Sequence, residues 1–150
     1  MTLMRRIAAG LALAALGLGA PAAQAHHAFA AEFDGKAPVL LRGKVTKVEW
    51  INPHTWIHMT AAAGGVGPQR EWMVEGGTPN TLLRVGITRD TLKPGTDIIV
   101  HGYQSKDRAC TPACKANGRD VTLANGQKLF MGSSGTGAPR DGADPSEMPH

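Results

Sequence analysis

The sequence predicts a mainly β protein, a small closed or nearly closed barrel of five or six strands with one short helix. Three observations predict this fold. Short segments rich in β-branched and aromatic residues follow one another along the chain. Turn signals such as Asn52-Pro53 and Asn125-Gly126 separate these segments. One helical segment precedes the strand that begins at Asp97.

Residues 1–25 have the pattern of a secretory signal peptide. Two arginines precede the uncharged apolar run of residues 7–18, and Ala-Gln-Ala at residues 23–25 supplies the small residues that signal peptidase reads. The run is short for a membrane span, and no later segment is long and apolar enough to be one. We therefore expect a periplasmic or secreted protein, cleaved after Ala25 or, alternatively, after Ala22, with residues 26–131 forming a single domain.

The strands are predicted where β-branched content and apolar alternation coincide. In chain order they cover residues 39–50, 55–61, 71–75, 97–103, 120–123 and 127–131. The alternation of the first strand changes phase along its length, which indicates a bulge at Gly43 or near Lys47. Ahead of this strand, residues 26–38 are expected to form an extended arm that Phe29 and Phe33 attach to a core.

The short helix is predicted between the third and fourth strands. Thr78 is a suitable N-cap, Pro79 fits the first turn, and Gly86 suits the C-terminal position. The number of strands and the position of the helix are nearest to a barrel of the oligonucleotide/oligosaccharide-binding type, a name that describes shape and not the ligand. A β-sandwich is the alternative. Residues 132–150 are rich in glycine, proline and polar residues, which predicts a disordered tail.

Charge and motif content argue against two classes of function. The precursor has a formal net charge of +4, and two of its basic residues leave with the signal peptide. The nearly neutral remainder has no cluster of lysine and arginine, so nucleic-acid binding is not expected. The sequence also lacks a Gly-x-Ser-x-Gly elbow, a His-Glu-x-x-His motif and a phosphate-binding glycine loop, so it does not indicate an enzyme.

Cys110 and Cys114 are the two cysteines of the chain. In an oxidising compartment such a pair is usually a disulfide, and the intervening Thr-Pro-Ala favours a turn that brings the two sulfurs together. A thiolate metal site is the alternative.

Histidines at the predicted mature N-terminus are candidate metal ligands. After cleavage at Ala25, His26 offers a free α-amino group and an imidazole nitrogen to the same ion, and His27 adds a second imidazole. The pKa of an α-amino group is about 7.7–8.0, so its deprotonation costs little at neutral pH. Nitrogen ligands suit copper(II). We expect a small copper-binding protein with His26, His27 and His54 as ligands, whereas a solvated His-His arm without function is the alternative.

His54 immediately precedes the predicted strand of residues 55–61 and His58 lies in it, and on a regular strand the two would share a face. Four residues separate them by roughly 13 Å along a straight strand, so at most one of them can join a site at the arm unless the strand is kinked near Pro53. His54 follows Pro53 at the start of the strand and is the better candidate. A hydrogen bond to the turn backbone is its alternative role.

Three tryptophans and two methionines lie in the first three strands: Trp50, Trp56, Trp72, Met59 and Met73. Methionine and tryptophan beside histidine can hold copper(I), but in a small barrel such residues are more often core. Exposed aromatic side chains would instead favour a non-catalytic binding module, whose groove around Trp56 and Trp72 holds a cell-envelope protein or a glycan.

Two motifs resemble a bacterial family of exported proteins known as a domain of unknown function. The first is residues 26–34 (HHAFAAEFD), with its paired histidines and Phe29. The second is residues 43–54 (GKVTKVEWINPH), which ends in Asn-Pro-His. The resemblance extends over roughly residues 26–131 and implies a small exported β-domain without an assigned activity. The two cysteines are not part of the family pattern.

Overall fold

The computed structural model describes residues 29–132. The predicted signal peptide, His26 and His27 lie outside the described residues, as does the predicted tail beyond Gly132.

The described residues form six strands and two short helices. Helix α1 covers residues 29–32. It is followed by β1 (Phe33–Glu49), β2 (Trp56–Ala63), β3 (Arg70–Glu75), α2 (Pro79–Arg84), β4 (Asp97–Ser105), β5 (Cys114–Leu123) and β6 (Lys128–Phe130).

Each predicted strand is present, but two begin six residues earlier than predicted. β1 starts at Phe33 instead of Val39, and β5 starts at Cys114 instead of Asp120. The prediction of an extended arm is therefore wrong for residues 29–32, which are helical. It is also wrong for the residues after them, which belong to β1. Non-local pairing explains both extensions. Phe33 pairs with Ser105 of β4, and the start of β5 pairs with β3.

The six strands form one sheet in the order β3-β2-β1-β4-β5-β6. β3 also pairs with β5, in parallel, so the first five strands make a closed ring of pairings, while β6 pairs with β5. A single sheet is not the two-sheet arrangement of a sandwich.

The register of β1 with β2 shifts between Val45 and Lys47, which confirms the bulge predicted near Lys47. Gly43 has a different role. It lies opposite both Ala61 of β2 and Ile98 of β4, and a Cβ atom there would be 1.9 Å from the carbonyl oxygen of Thr60. Glycine is therefore required because the backbones of β1 and β2 approach closely.

Alternate residues of the strands form one apolar core, to which Leu82 of α2 contributes. The N-cap prediction is confirmed, since the Thr78 hydroxyl accepts a hydrogen bond from the backbone N–H of Thr81 at 3.2 Å. The predicted disulfide is also confirmed: Cys110 and Cys114 are bonded, and Cys114 lies in the core. The core includes Leu41, Val45, Ile57, Met59, Trp72, Val74, Val100, Ala116, Val121 and Met131.

A second, smaller cluster attaches the N-terminal segment to the sheet. The ring of Phe29 lies 5.8 Å from that of Phe33 and 5.7 Å, edge to face, from that of Tyr103 in β4. The Ser105 hydroxyl and the Lys106 backbone N–H both donate to the carbonyl oxygen of Glu32. Phe29 and Phe33 do attach the arm, but to Tyr103 and not to the main core.

Candidate functional site

The loop before β2 fixes the position of His54. The neighbouring Thr55 donates its backbone N–H to the carbonyl oxygen of Gly77 at 2.9 Å and accepts from the N–H of Gly76 at 2.8 Å. These two bonds hold the loop against the end of β3. As a result, Nδ1 of His54 lies 3.2 Å from Oε1 of Glu75, the last residue of that strand.

Glu75 is a buried carboxyl group on the side of the sheet opposite the core. Only 5% of the residue is exposed, and the side-chain amide of Asn117 donates to its Oε1 at 3.4 Å. Strand pairing arranges Trp56, Glu75, Asn117 and Tyr103 as one row across four strands. Successive side chains of a strand point to opposite faces, and Val74 belongs to the core, so this row lies on the other face.

The N-terminal segment passes close to this row. Burial raises the pKa of Glu75, the charge of His54 opposes that rise, and the negative charge of Glu32 in α1 adds to it. The ring of Phe29 in α1 lies 5.7 Å from that of Tyr103, which is at one end of the row. Helix α1 is therefore attached at the Tyr103 end of the row.

Of the predicted ligands, the described structure contains His54 alone, because His26 and His27 lie outside it. His58 is on β2, and its Nε2 lies 3.0 Å from Oε1 of Glu49. The two histidines thus contact different carboxylates. Within residues 29–132, no three side chains of histidine, cysteine, aspartate or glutamate are grouped to hold a metal ion.

The tryptophans divide between the core and the surface. Trp72 is 3% exposed and belongs to the core, as does Met59, so Trp72 does not line the predicted groove. Trp50 packs partly against the core, with the guanidinium of Arg89 5.3 Å from its ring centre. Trp56 is half-buried on the opposite face.

The sequence did not predict that the polar residues Glu75, Asn117 and Asp120 are buried. Their positions in the alternation put Glu75 and Asn117 on the face away from the core, which normally predicts exposure. In the structure His54 lies against Glu75, and Glu75 against Asn117, and local sequence predicts neither contact. Asp120 lies opposite His101 on β4, 3.4 Å from the ammonium of Lys128, and is 6% exposed.

Neither helix of the described segment has the length and apolar content that crossing a bilayer requires.

Comparisons with curated proteins and with solved structures found no match. Residues 14–113, more than half of the chain, match the family described as "Family of unknown function (DUF6152)". The matched range includes both motifs that pointed to a family of unknown function. The chain therefore belongs to the family of unknown function DUF6152.

Proposed function

We propose that this protein is an exported, periplasmic copper-binding protein whose ligands are the amine and imidazole of His26, with His27 and His54. The observation that carries the proposal is the contact of His54 Nδ1 with the buried carboxylate of Glu75.

A carboxylate against one imidazole nitrogen favours the tautomer with the proton on that nitrogen. The lone pair is then on Nε2, which is the nitrogen that binds a metal. Histidine ligands of metals commonly donate their other N–H to a carboxylate in this way. Asn117 in turn holds Glu75, so the orientation of His54 is supported by two successive contacts.

The short chain before α1 keeps the N-terminal histidines near Phe29. Consecutive Cα atoms are about 3.8 Å apart, so the Cα of His27 is within about 8 Å of that of Phe29, and the Cα of His26 within about 11 Å. Phe29 is attached to Tyr103, in the same row of residues as Glu75. The carboxylates of Glu32 and Glu75 add negative charge near the cation.

Copper(II) is favoured over other ions by the ligand types. The proposed site consists of an amine and imidazoles, and copper(II) forms the most stable complexes of the divalent first-row series with such ligands. An N-terminal amine deprotonates easily enough at neutral pH to contribute.

The test is a competitive copper(II) titration of the exported protein, after intact mass has established cleavage at Ala25. We expect His26→Ala and His54→Ala each to weaken binding at least about tenfold. His58→Gln is the matched control, because His58 lies four residues away and contacts a different carboxylate. Unchanged affinity in both ligand variants would contradict the proposal.

Two structural expectations belong to this proposal. Export is supported by the signal-peptide pattern of residues 1–25. A small barrel of the oligonucleotide/oligosaccharide-binding type is supported by the closed ring of five strands and by α2 between β3 and β4.

The second candidate function is a non-catalytic module that binds a cell-envelope protein or glycan. It depends on Trp56, which is half-buried on the face away from the core. This candidate predicts that the protein binds isolated envelope glycan or protein. The binding should persist in the presence of a metal chelator and be lost in Trp56→Ala. Binding that the chelator abolishes would contradict it.

A further inference from the structure

One group of side chains on β2 and β3 has no part in the proposed copper(II) site. His58 and Met73 are direct partners in the antiparallel pairing of these strands. Trp56 precedes His58 by two residues and so lies on the same face. All three are half-buried on the side opposite the core, whereas Met59 and Trp72, also direct partners, point into it.

The spacing of the three side chains suits a single small ion. The Cβ atoms of directly opposite residues in an antiparallel pair are about 4.5–5.5 Å apart, and diagonal neighbours are separated by about 7–8 Å. His58 and Met73 are the opposite pair, and Trp56 is diagonal to Met73 because its own partner is Glu75. An imidazole nitrogen and a thioether sulfur can therefore bind one ion from the two strands, with an indole ring beside them.

The carboxylate of Glu49 lies beside Nε2 of His58, in a contact whose geometry is not that of a hydrogen bond. Oε1 of Glu49 lies 3.0 Å from Nε2 of His58, which leaves Nδ1 for a ligand. Lys47 is opposite His58 on β1, and its ammonium is 2.6 Å from the same Glu49 oxygen, so its positive charge is offset.

The ligand chemistry selects the ion. Thioether sulfur is a soft ligand that favours copper(I), whereas calcium and magnesium require oxygen ligands and structural zinc takes four ligands, typically thiolate and imidazole. Copper(I) accepts two or three ligands. The face of an indole ring attracts a cation that lies within about 6 Å of its centre.

We propose that His58, Met73 and Trp56 form a second metal site, in which the imidazole of His58 and the sulfur of Met73 hold one copper(I) ion beside the ring of Trp56. Its two ligands, His58 and Met73, are distinct from His26, His27 and His54, and Trp56 is the strand partner of Glu75. It involves no change in the oxidation state of the metal.

The test supplies copper(I) as its bicinchoninate complex, in anaerobic buffer, to the full exported protein with its disulfide intact. We expect the wild type to withdraw copper(I) from the chelator with quenching of tryptophan fluorescence. His58→Gln and Met73→Leu should each weaken binding at least about tenfold. Trp56→Phe should remove most of the quenching.

Met59→Leu is the matched control, because Met59 is one residue from His58 but lies in the core. It should bind copper(I) as the wild type does, and circular dichroism should show the same fold in every variant. X-ray absorption should detect one sulfur ligand in the wild type and none in Met73→Leu.

The proposal is overturned if the wild type withdraws no copper(I), if Met73→Leu binds as tightly as the wild type, or if Met59→Leu loses as much affinity as Met73→Leu. His54→Ala separates the two sites. Loss of copper(II) binding with copper(I) binding retained is expected, and joint loss of both would contradict independent sites.

Discussion

At the scale of single residues, two buried carboxyl groups distinguish the face of the sheet opposite the core. Glu75 contacts His54 and Asn117, and Asp120 lies across the β4–β5 pair from His101. Burial raises the pKa of both carboxyls. Burying an ionised group carries a free-energy cost that its partners offset only in part.

The variant Asp120→Asn tests the free-energy cost of burying this carboxyl group, because that cost depends on pH. Burial raises the pKa of Asp120, while the charges of His101 and Lys128 oppose the rise. A raised native pKa means that the folded state binds the proton more tightly than the unfolded state does. The free energy of unfolding therefore falls as pH increases from about 4 towards the native pKa. Urea denaturation between pH 4 and 7 should show a shallower fall in Asp120→Asn, and an unchanged slope would contradict this.

Glu75→Gln tests the orientation of His54. Glutamine preserves the shape of the side chain and can accept the hydrogen bond from Asn117, but it removes the negative charge that faces Nδ1 of His54. We expect copper(II) affinity to fall by about tenfold, less than in His54→Ala, with the fold retained. Asp120→Asn is the control, since it also removes a buried carboxylate but one that does not contact His54. Equal copper(II) binding in Glu75→Gln and the wild type would show that Glu75 does not position the ligand.

At the scale of elements, the close approach of β1 and β2 depends on Gly43. A Cβ atom there would lie 1.9 Å from the carbonyl oxygen of Thr60 and 2.8 Å from the Cα of Ala61, both of which are backbone atoms of a central strand. Gly43→Ala should therefore force the two strands apart.

We expect Gly43→Ala to lower the free energy of unfolding by about 3 kcal/mol, the upper end of the usual cost of overpacking. Urea denaturation measures this change. Gly76→Ala is the control, because its Cβ would come no nearer than 3.3 Å to the atoms of Met131. Similar losses in the two variants would contradict a specific role for Gly43.

At the scale of the whole molecule, the N-terminal segment links the sheet to the proposed copper(II) ligands. Phe29 is 7% exposed and packs on Tyr103, while Glu32 accepts hydrogen bonds from Ser105 and Lys106. The length of the chain between His26 and Phe29 limits how far the proposed ligands can lie from this point of attachment.

Phe29→Ala tests this link. Loss of a buried phenylalanine should lower the free energy of unfolding by about 3 kcal/mol, and the freed segment should bind copper(II) more weakly although no ligand has been removed. Thermal unfolding and the copper(II) titration measure the two effects. Phe130→Ala is the control, because Phe130 is 48% exposed and lies on β6. Full copper(II) affinity in Phe29→Ala would show that attachment of the segment is unnecessary.

Local sequence predicted the elements well. Six strands, the bulge near Lys47, the Thr78 cap and the bond between Cys110 and Cys114 all follow from interactions between residues close in the chain. The first residues of β1 and β5 could not be predicted in this way. They belong to strands only because the start of β1 pairs with β4 and the start of β5 pairs with β3.

The sequence by itself determined that the protein is mainly β and where the strands, the turns and the short helix occur. Periodicity and turn chemistry are local properties, and they suffice for these features. The tertiary structure alone decided the parallel β3–β5 pairing, the packing of Phe29 on Tyr103, and the contact of His54 with Glu75. The pairing of His58 with Met73 likewise depends on the register of β2 against β3. Each of these joins residues distant in sequence, and only the complete set of strand pairings brings them together.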